Sequence, residues 1–251
     1  MAGGGMKRLA KDTAVYGLSS IIGRMLHWLL VPMYSRVLAG TGEFGVMTNL
    51  YGWTALLLVF LTYGMETGFF RYINKKDVHN PMQVYSTTLI SIGFTSLLFV
   101  VLGLMFLIRV SNGLGYNEHP EYVGMLIVIV AMDAFSAIPF AYLRYENRPI
   151  KFATVKLLII FLNIGLNIFL LVLCPWLHTH YPQSISWFYI PDYGVGYVFV
   201  ANLIGSALCL LLLAKELTGF KYTFDGALLK QMLRYSLPIL ILGLAGVFNQ
   251  T

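Results

Sequence analysis

The chain has 251 residues, 58% of them hydrophobic and 11% charged, with a net charge of +6 and a mean hydropathy of +0.73. Soluble domains carry about 25% charged residues, so this composition excludes an ordinary water-facing globule and turns most of the surface toward lipid. The basic residues are scattered between apolar runs, which is a topology pattern and not a nucleic-acid face.

A bilayer core needs roughly 20 mainly apolar residues per helix. The first such stretch is Ala14 to Leu38, preceded by Lys7, Arg8 and Lys11. It is too long for the apolar core of a signal peptide, contains Arg24 and lacks a small-residue cleavage site, so it reads as a retained span. After the Gly-rich turn from Gly40 to Gly45 comes the second, about Val46 to Tyr72. The third is Tyr85 to Ile108 and the fourth Tyr122 to Leu143. The fifth runs from Phe152 to Leu173 and is expected to stop at Cys174-Pro175; the sixth is Gly194 to Ala214. A seventh starts near Tyr235 and is still running at Thr251. Barrel strands would be about ten residues long and alternate in polarity, which these stretches do not. The expected fold is all-α: a polytopic transmembrane helix bundle with six complete spans and the start of a seventh. Its parts are a cytoplasmic tail over 1–13, a six-helix lobe over 14–214, a cytoplasmic linker over 215–234 and an incomplete helix over 235–251.

With the N-terminus in the cytoplasm, inner segments hold fourteen of the seventeen Lys and Arg residues. Outer loops hold only Arg36 and Arg109, and Arg24 lies within a span. Such asymmetry over short loops sets the orientation. The longest outer loop, Pro175 to Tyr193, has no Lys or Arg and carries Trp176, Tyr181, Trp187, Phe188, Tyr189 and Tyr193, as an interfacial aromatic belt does.

Ionisable groups inside a bilayer cost roughly 2.5–3.5 kcal/mol each on insertion scales, so each needs a reason. Arg24, Glu66 and Asp133 stand out. At 1.5 Å per residue, Arg24 and Asp133 lie about 16 and 15 Å from the cytoplasmic helix ends, and Glu66 about 9 Å. Arg24 and Asp133 therefore share a level at which they can pair or face one cavity. Ser20, Arg24 and His27 follow at i, i+4 and i+7, one polar face on an apolar helix. Asn163 and Asn167 also share a face, and the plain reading of both stripes is hydrogen bonding between helices. Gly64-Met65-Glu66-Thr67-Gly68 is a GxxxG segment, read as a close-packing face that also lets Glu66 approach a neighbouring backbone. Cys174 and Cys209 have no CxxC spacing and read as buried thiols, so no metal or cofactor is expected. There is no HExxH, GxSxG or P-loop, and no enzyme constellation. Asn249-Gln250-Thr251 matches a glycosylation sequon inside an apolar run and is discounted.

The turn Ser35-Arg36-Val37-Leu38-Ala39-Gly40-Thr41-Gly42-Glu43-Phe44-Gly45 is similar to one in oligosaccharide flippases, and so is Arg71-Tyr72 closing the second span. Leu143-Arg144-Tyr145-Glu146-Asn147-Arg148-Pro149, then Lys151 and an Asn-bearing fifth span, resembles their loop between helices four and five. The chain thus resembles, from Lys7 on, the polysaccharide biosynthesis and export proteins of the multidrug, oligosaccharidyl-lipid and polysaccharide exporter superfamily. The resemblance implies helical lobes around a cavity that opens alternately to either side of the bacterial cytoplasmic membrane. It implies as cargo an undecaprenyl-diphosphate-linked oligosaccharide, and as partners the bilayer and other polysaccharide-assembly membrane proteins. In relatives such as the lipid II flippase, cavity arginines meet the diphosphate, and Arg24 is the matching residue here. Ser20, His27, Glu66, Asp133, Asn163 and Asn167 complete the expected substrate-binding set.

Two further expectations concern the whole chain. Lys11, Tyr16, Leu18 and Ile22 match Lys230, Tyr235, Leu237 and Ile241 at an offset of 219 residues, as the first half of a longer repeat protein would. Rival readings are a cation-coupled drug exporter of the same superfamily, in which acidic residues outweigh Arg24, and an inactive truncated remnant.

Overall fold

The computed structural model describes the backbone of residues 2–38, 42–74, 80–191 and 193–248; the side chains of 2–13, 20, 23, 24, 26, 27, 29 and 242–248 lie outside the description. The described residues are helical almost throughout. In chain order they form α1 (Ala2–Val37), α2 (Glu43–Thr62), α3 (Met65–Ile73), α4 (Pro81–Met105), α5 (Leu107–Leu114), α6 (Pro120–Tyr145) and α7 (Pro149–Ile168). A π-helical turn (Phe169–Leu173) leads to α8 (Cys174–His180), and α9 (Pro182–Ile185), α10 (Gly196–Leu212), α11 (Ala214–Leu217) and α12 (Gly226–Phe248) follow.

Among the described residues four helical stretches are long and apolar enough to cross a membrane: Glu43–Ile73, Pro81–Met105, Pro120–Tyr145 and Pro149–His180. The protein is an all-α, polytopic membrane protein. α10 is apolar but has only 17 residues, about 26 Å of helix against a hydrocarbon core of about 30 Å.

Three expected spans differ in detail. The second is interrupted, because Tyr63 and Gly64 adopt φ of 34° and 69° and separate α2 from α3. Glycine at 64 answers two demands: the left-handed backbone, and a neighbour so close that a Cβ would fall 2.7 Å from the Ser236 carbonyl oxygen. The third breaks at Phe106 and continues as α5. The fifth does not stop at Cys174-Pro175. The π turn re-registers the chain so that Pro175 falls in the first turn of α8, where a missing N–H leaves no helical bond unmade.

The chain divides into two compact units, 1–49 with 147–209, and 50–146 with 210–251. In the first, α1 lies along α7, and the π turn packs with α8. The Tyr16 ring meets the Phe152 ring edge-on at 5.1 Å. Cys174 and Cys209 are buried thiols, as expected from the sequence.

In the second unit α4 packs along α6, α3 against both, and α12 against α3 and α4. The core collects Met65, Phe69, Tyr85, Leu89, Ile92, Ile138 and Met232. The 218–225 segment is not a free tether. Tyr85 donates to the Glu216 carbonyl at 2.7 Å, Thr223 N–H donates to Ser86 Oγ at 2.8 Å, and Gln83 Nε2 donates to Asp225 Oδ2 at 3.1 Å. Asp225 Oδ1 in turn accepts from the N–H groups of Ala227 and Leu228 at 2.9 and 3.0 Å, capping α12. α12 therefore begins nine residues before Tyr235, with its first turns held on α4.

Candidate functional site

Ser20, Arg24 and His27 fall on α1, and their side chains lie outside the described residues, so the expected pairing of Arg24 with Asp133 does too. Asp133 sits in the middle of α6 and is half-buried; its main-chain oxygen accepts the Ser136 hydroxyl at 2.9 Å.

Glu66 opens α3 and is paired with Arg144 from the last turn of α6. Each residue suits its helix end: the carboxylate sits at the positive terminus and the guanidinium at the negative one. Arg144 also lies over the Phe70 ring at 5.1 Å. In the sequence Arg144 belongs to the Leu143–Pro149 motif that follows the fourth expected span. The structure carries the fourth helix on to Tyr145, which puts Arg144 in its final turn and within reach of Glu66.

The GxxxG segment is a packing face. Both glycines meet Ser236 of α12, and a Cβ at Gly68 would run into the Ser236 hydroxyl. Tyr72 donates to the Gln231 carbonyl at 3.1 Å, and the Arg71 guanidinium lies 4.0 Å above the Tyr235 ring, completing the α3–α12 seam. Alongside this seam a cavity of about 550 Å³ is lined by Tyr63, Ser91, Thr95, Phe224, Leu233 and Leu237, among others. Its polar edge is the bond between the Tyr63 and Ser91 hydroxyls at 2.7 Å.

Asn163 and Asn167 are buried in the first unit. Asn163 Nδ2 donates to Asn202 Oδ1 on α10 at 2.6 Å, and Asn167 Nδ2 donates back to the Asn163 carbonyl and Oδ1 at 2.8 and 3.0 Å. The three amides form a head-to-tail chain from α7 to α10. Asn202, on the apolar helix α10, was the partner that the sequence left unnamed. Among the described residues no group of three His, Cys, Asp or Glu side chains is placed to hold a metal.

Compared with known families, residues 9–251 match the model of the polysaccharide biosynthesis protein family. The chain belongs to that family. No curated protein and no solved structure matches it. The chain is thus a multi-pass membrane protein of the polysaccharide biosynthesis, flippase-type family.

Proposed function

We propose that this polysaccharide biosynthesis protein flips an undecaprenyl-diphosphate-linked oligosaccharide from the inner to the outer leaflet of the bacterial cytoplasmic membrane, with its N-terminus in the cytoplasm. The observation that carries the reading is the family match over nearly the whole of an apolar, helical chain. The concentration of Lys and Arg in alternate loops supports the orientation.

In this reading Arg24 holds the diphosphate. A planar guanidinium binds phosphate oxygens through two parallel hydrogen bonds, and it stays charged at any physiological pH. Ser20 and His27, on the same face of α1, extend the polar strip toward the headgroup. Glu66 and Asp133, in the second unit, contribute by protonation or ion pairing. Asn163 and Asn167, on α7, complete the substrate-binding set with their amide groups.

The test is transport of a fluorescent lipid-linked oligosaccharide across vesicles carrying the full protein, with Arg24→Ala and Arg24→Lys compared. Loss of a charge-assisted phosphate contact lowers transport at least about tenfold in the alanine variant, with partial recovery in the lysine variant. Wild-type transport by Arg24→Ala removes Arg24 from the mechanism. Failure of the unaltered protein to move the lipid-linked oligosaccharide rules out the reading as a whole.

A further inference from the structure

In the first unit, a cavity of about 230 Å³ is lined by Glu43, Leu170, Leu171, Pro175, Tyr189 and Tyr197. Glu43 is the first residue of α2, and its carboxylate is half-buried. It rests against Gly194, whose φ is +44° and where a Cβ would run into the carboxylate atoms, so the 193–196 turn is shaped around this side chain. No ion pair or hydrogen bond engages the carboxylate among the described residues.

The cavity presents acceptors and few donors. An ionised carboxylate only accepts hydrogen bonds. The Tyr197 hydroxyl is already committed, accepting from the Ile190 N–H at 2.6 Å and donating to the Ile190 carbonyl at 3.1 Å. Asn167 precedes Leu170 and Leu171 by three and four residues, just ahead of the π turn, and lies behind the residues that line the cavity. Asn167 is fully buried, and its Oδ1 has no hydrogen-bond partner among the described residues. The rest of the lining is aliphatic or aromatic, with the Tyr189 and Tyr197 rings parallel at 5.3 Å.

A cation answers this chemistry poorly, because the positive end of α2 already offsets the charge of Glu43. What the cavity lacks is hydroxyl donors on a body with an apolar face. A pyranose ring has both. We propose that this cavity is a sugar-binding subsite at the extracytoplasmic end of the first unit, with Glu43 accepting hydrogen bonds from adjacent ring hydroxyls. Leu171, Pro175 and Tyr189 flank the apolar face of the ring. The proposal rests on the flippase reading, and it adds a place where the glycan is held apart from the diphosphate.

Saturation-transfer NMR on the purified full chain in detergent tests it. The probes are methyl glycosides of a neutral hexose and of an N-acetylhexosamine, with tetramethylammonium as a cationic probe. The expected result is saturable binding of a neutral glycoside, weakened about tenfold or more by Glu43→Gln, the loss expected for a hydrogen bond to a charged acceptor. Leu171→Phe, which fills the cavity without touching Glu43, removes binding, while Trp187→Ala on the exposed loop leaves it unchanged. Thermal midpoints of the variants identify any that fail to fold, and the two independent cavity variants keep the test decisive. The proposal is overturned if no neutral glycoside binds the wild type, if Glu43→Gln binds as tightly, or if only the cation binds. Vesicle transport measured on the wild type separates the two readings. Transport without glycoside binding sinks the subsite alone, and glycoside binding without transport sinks the flippase alone.

Discussion

Asn163 on α7 and Asn202 on α10 share a hydrogen bond of 2.6 Å between side-chain amides, inside a largely apolar bundle. Lipid tails are as apolar as leucine, so hydrophobic burial does little to choose which helices meet in a bilayer. A bond of this kind makes the choice. Asn163→Leu should lower stability by about 0.6–2 kcal/mol, the range for intramembrane hydrogen bonds. A thermal-shift measurement in detergent checks this. Asn202→Leu alone should cost a similar amount, and the double variant less than the sum.

Gly68 should tolerate no side chain while Ser236 keeps its hydroxyl. Gly68→Ala forces α3 and α12 apart, with an overpacking cost of about 1–3 kcal/mol. Ser236→Ala removes the opposing oxygen, so adding it to Gly68→Ala should recover part of the loss. No recovery in the double variant would show that the two helices do not meet there.

Tyr85→Phe should loosen the segment that leads into α12. The phenol is buried and donates to the Glu216 carbonyl at 2.7 Å, so its removal leaves a buried acceptor short of a partner. The expected cost is about 1–3 kcal/mol. Limited proteolysis reads it directly, as faster cleavage within the 218–225 segment.

Glu66→Gln should change stability by no more than about 1 kcal/mol, because both partners of the Glu66–Arg144 pair are partly open to solvent. A charge swap, Glu66→Arg with Arg144→Glu, should restore more of the stability than either single change retains. If the swap behaves as the sum of the singles, the pair contributes nothing as a pair.

Orientation has its own check. With Cys174 and Cys209 replaced by alanine, a single cysteine at Ser184 should react with a membrane-impermeant maleimide in intact cells. A single cysteine at Arg148 should react only after the membrane is opened. The reverse pattern would invert the proposed topology.

Membrane character was legible in the sequence because it needs only hydropathy summed over roughly 20 residues, a local quantity. The GxxxG face was legible for a related reason: small residues one turn apart are rarely there for anything but close approach. The family was legible from short motifs in order, and the match over residues 9–251 agrees. Helix ends were less so. Pro175 looked like a stop, since the π turn that places it in a new first turn has no sequence signature of its own. The break at Tyr63 was hidden for a similar reason, because an aromatic residue rarely takes a positive φ.

Composition and the spacing of charges by themselves determined that this chain lives in a bilayer, as helices, with its Lys and Arg concentrated in alternate loops. The partner of each polar group was decided only by the tertiary structure. Asn163 and Asn202 are 39 residues apart, and Glu66 and Arg144 are 78 apart. No periodicity within one helix says which face of a second helix it will meet. Hydropathy is a sum over neighbours in the chain, whereas a hydrogen bond or an ion pair depends on distance and angle in space.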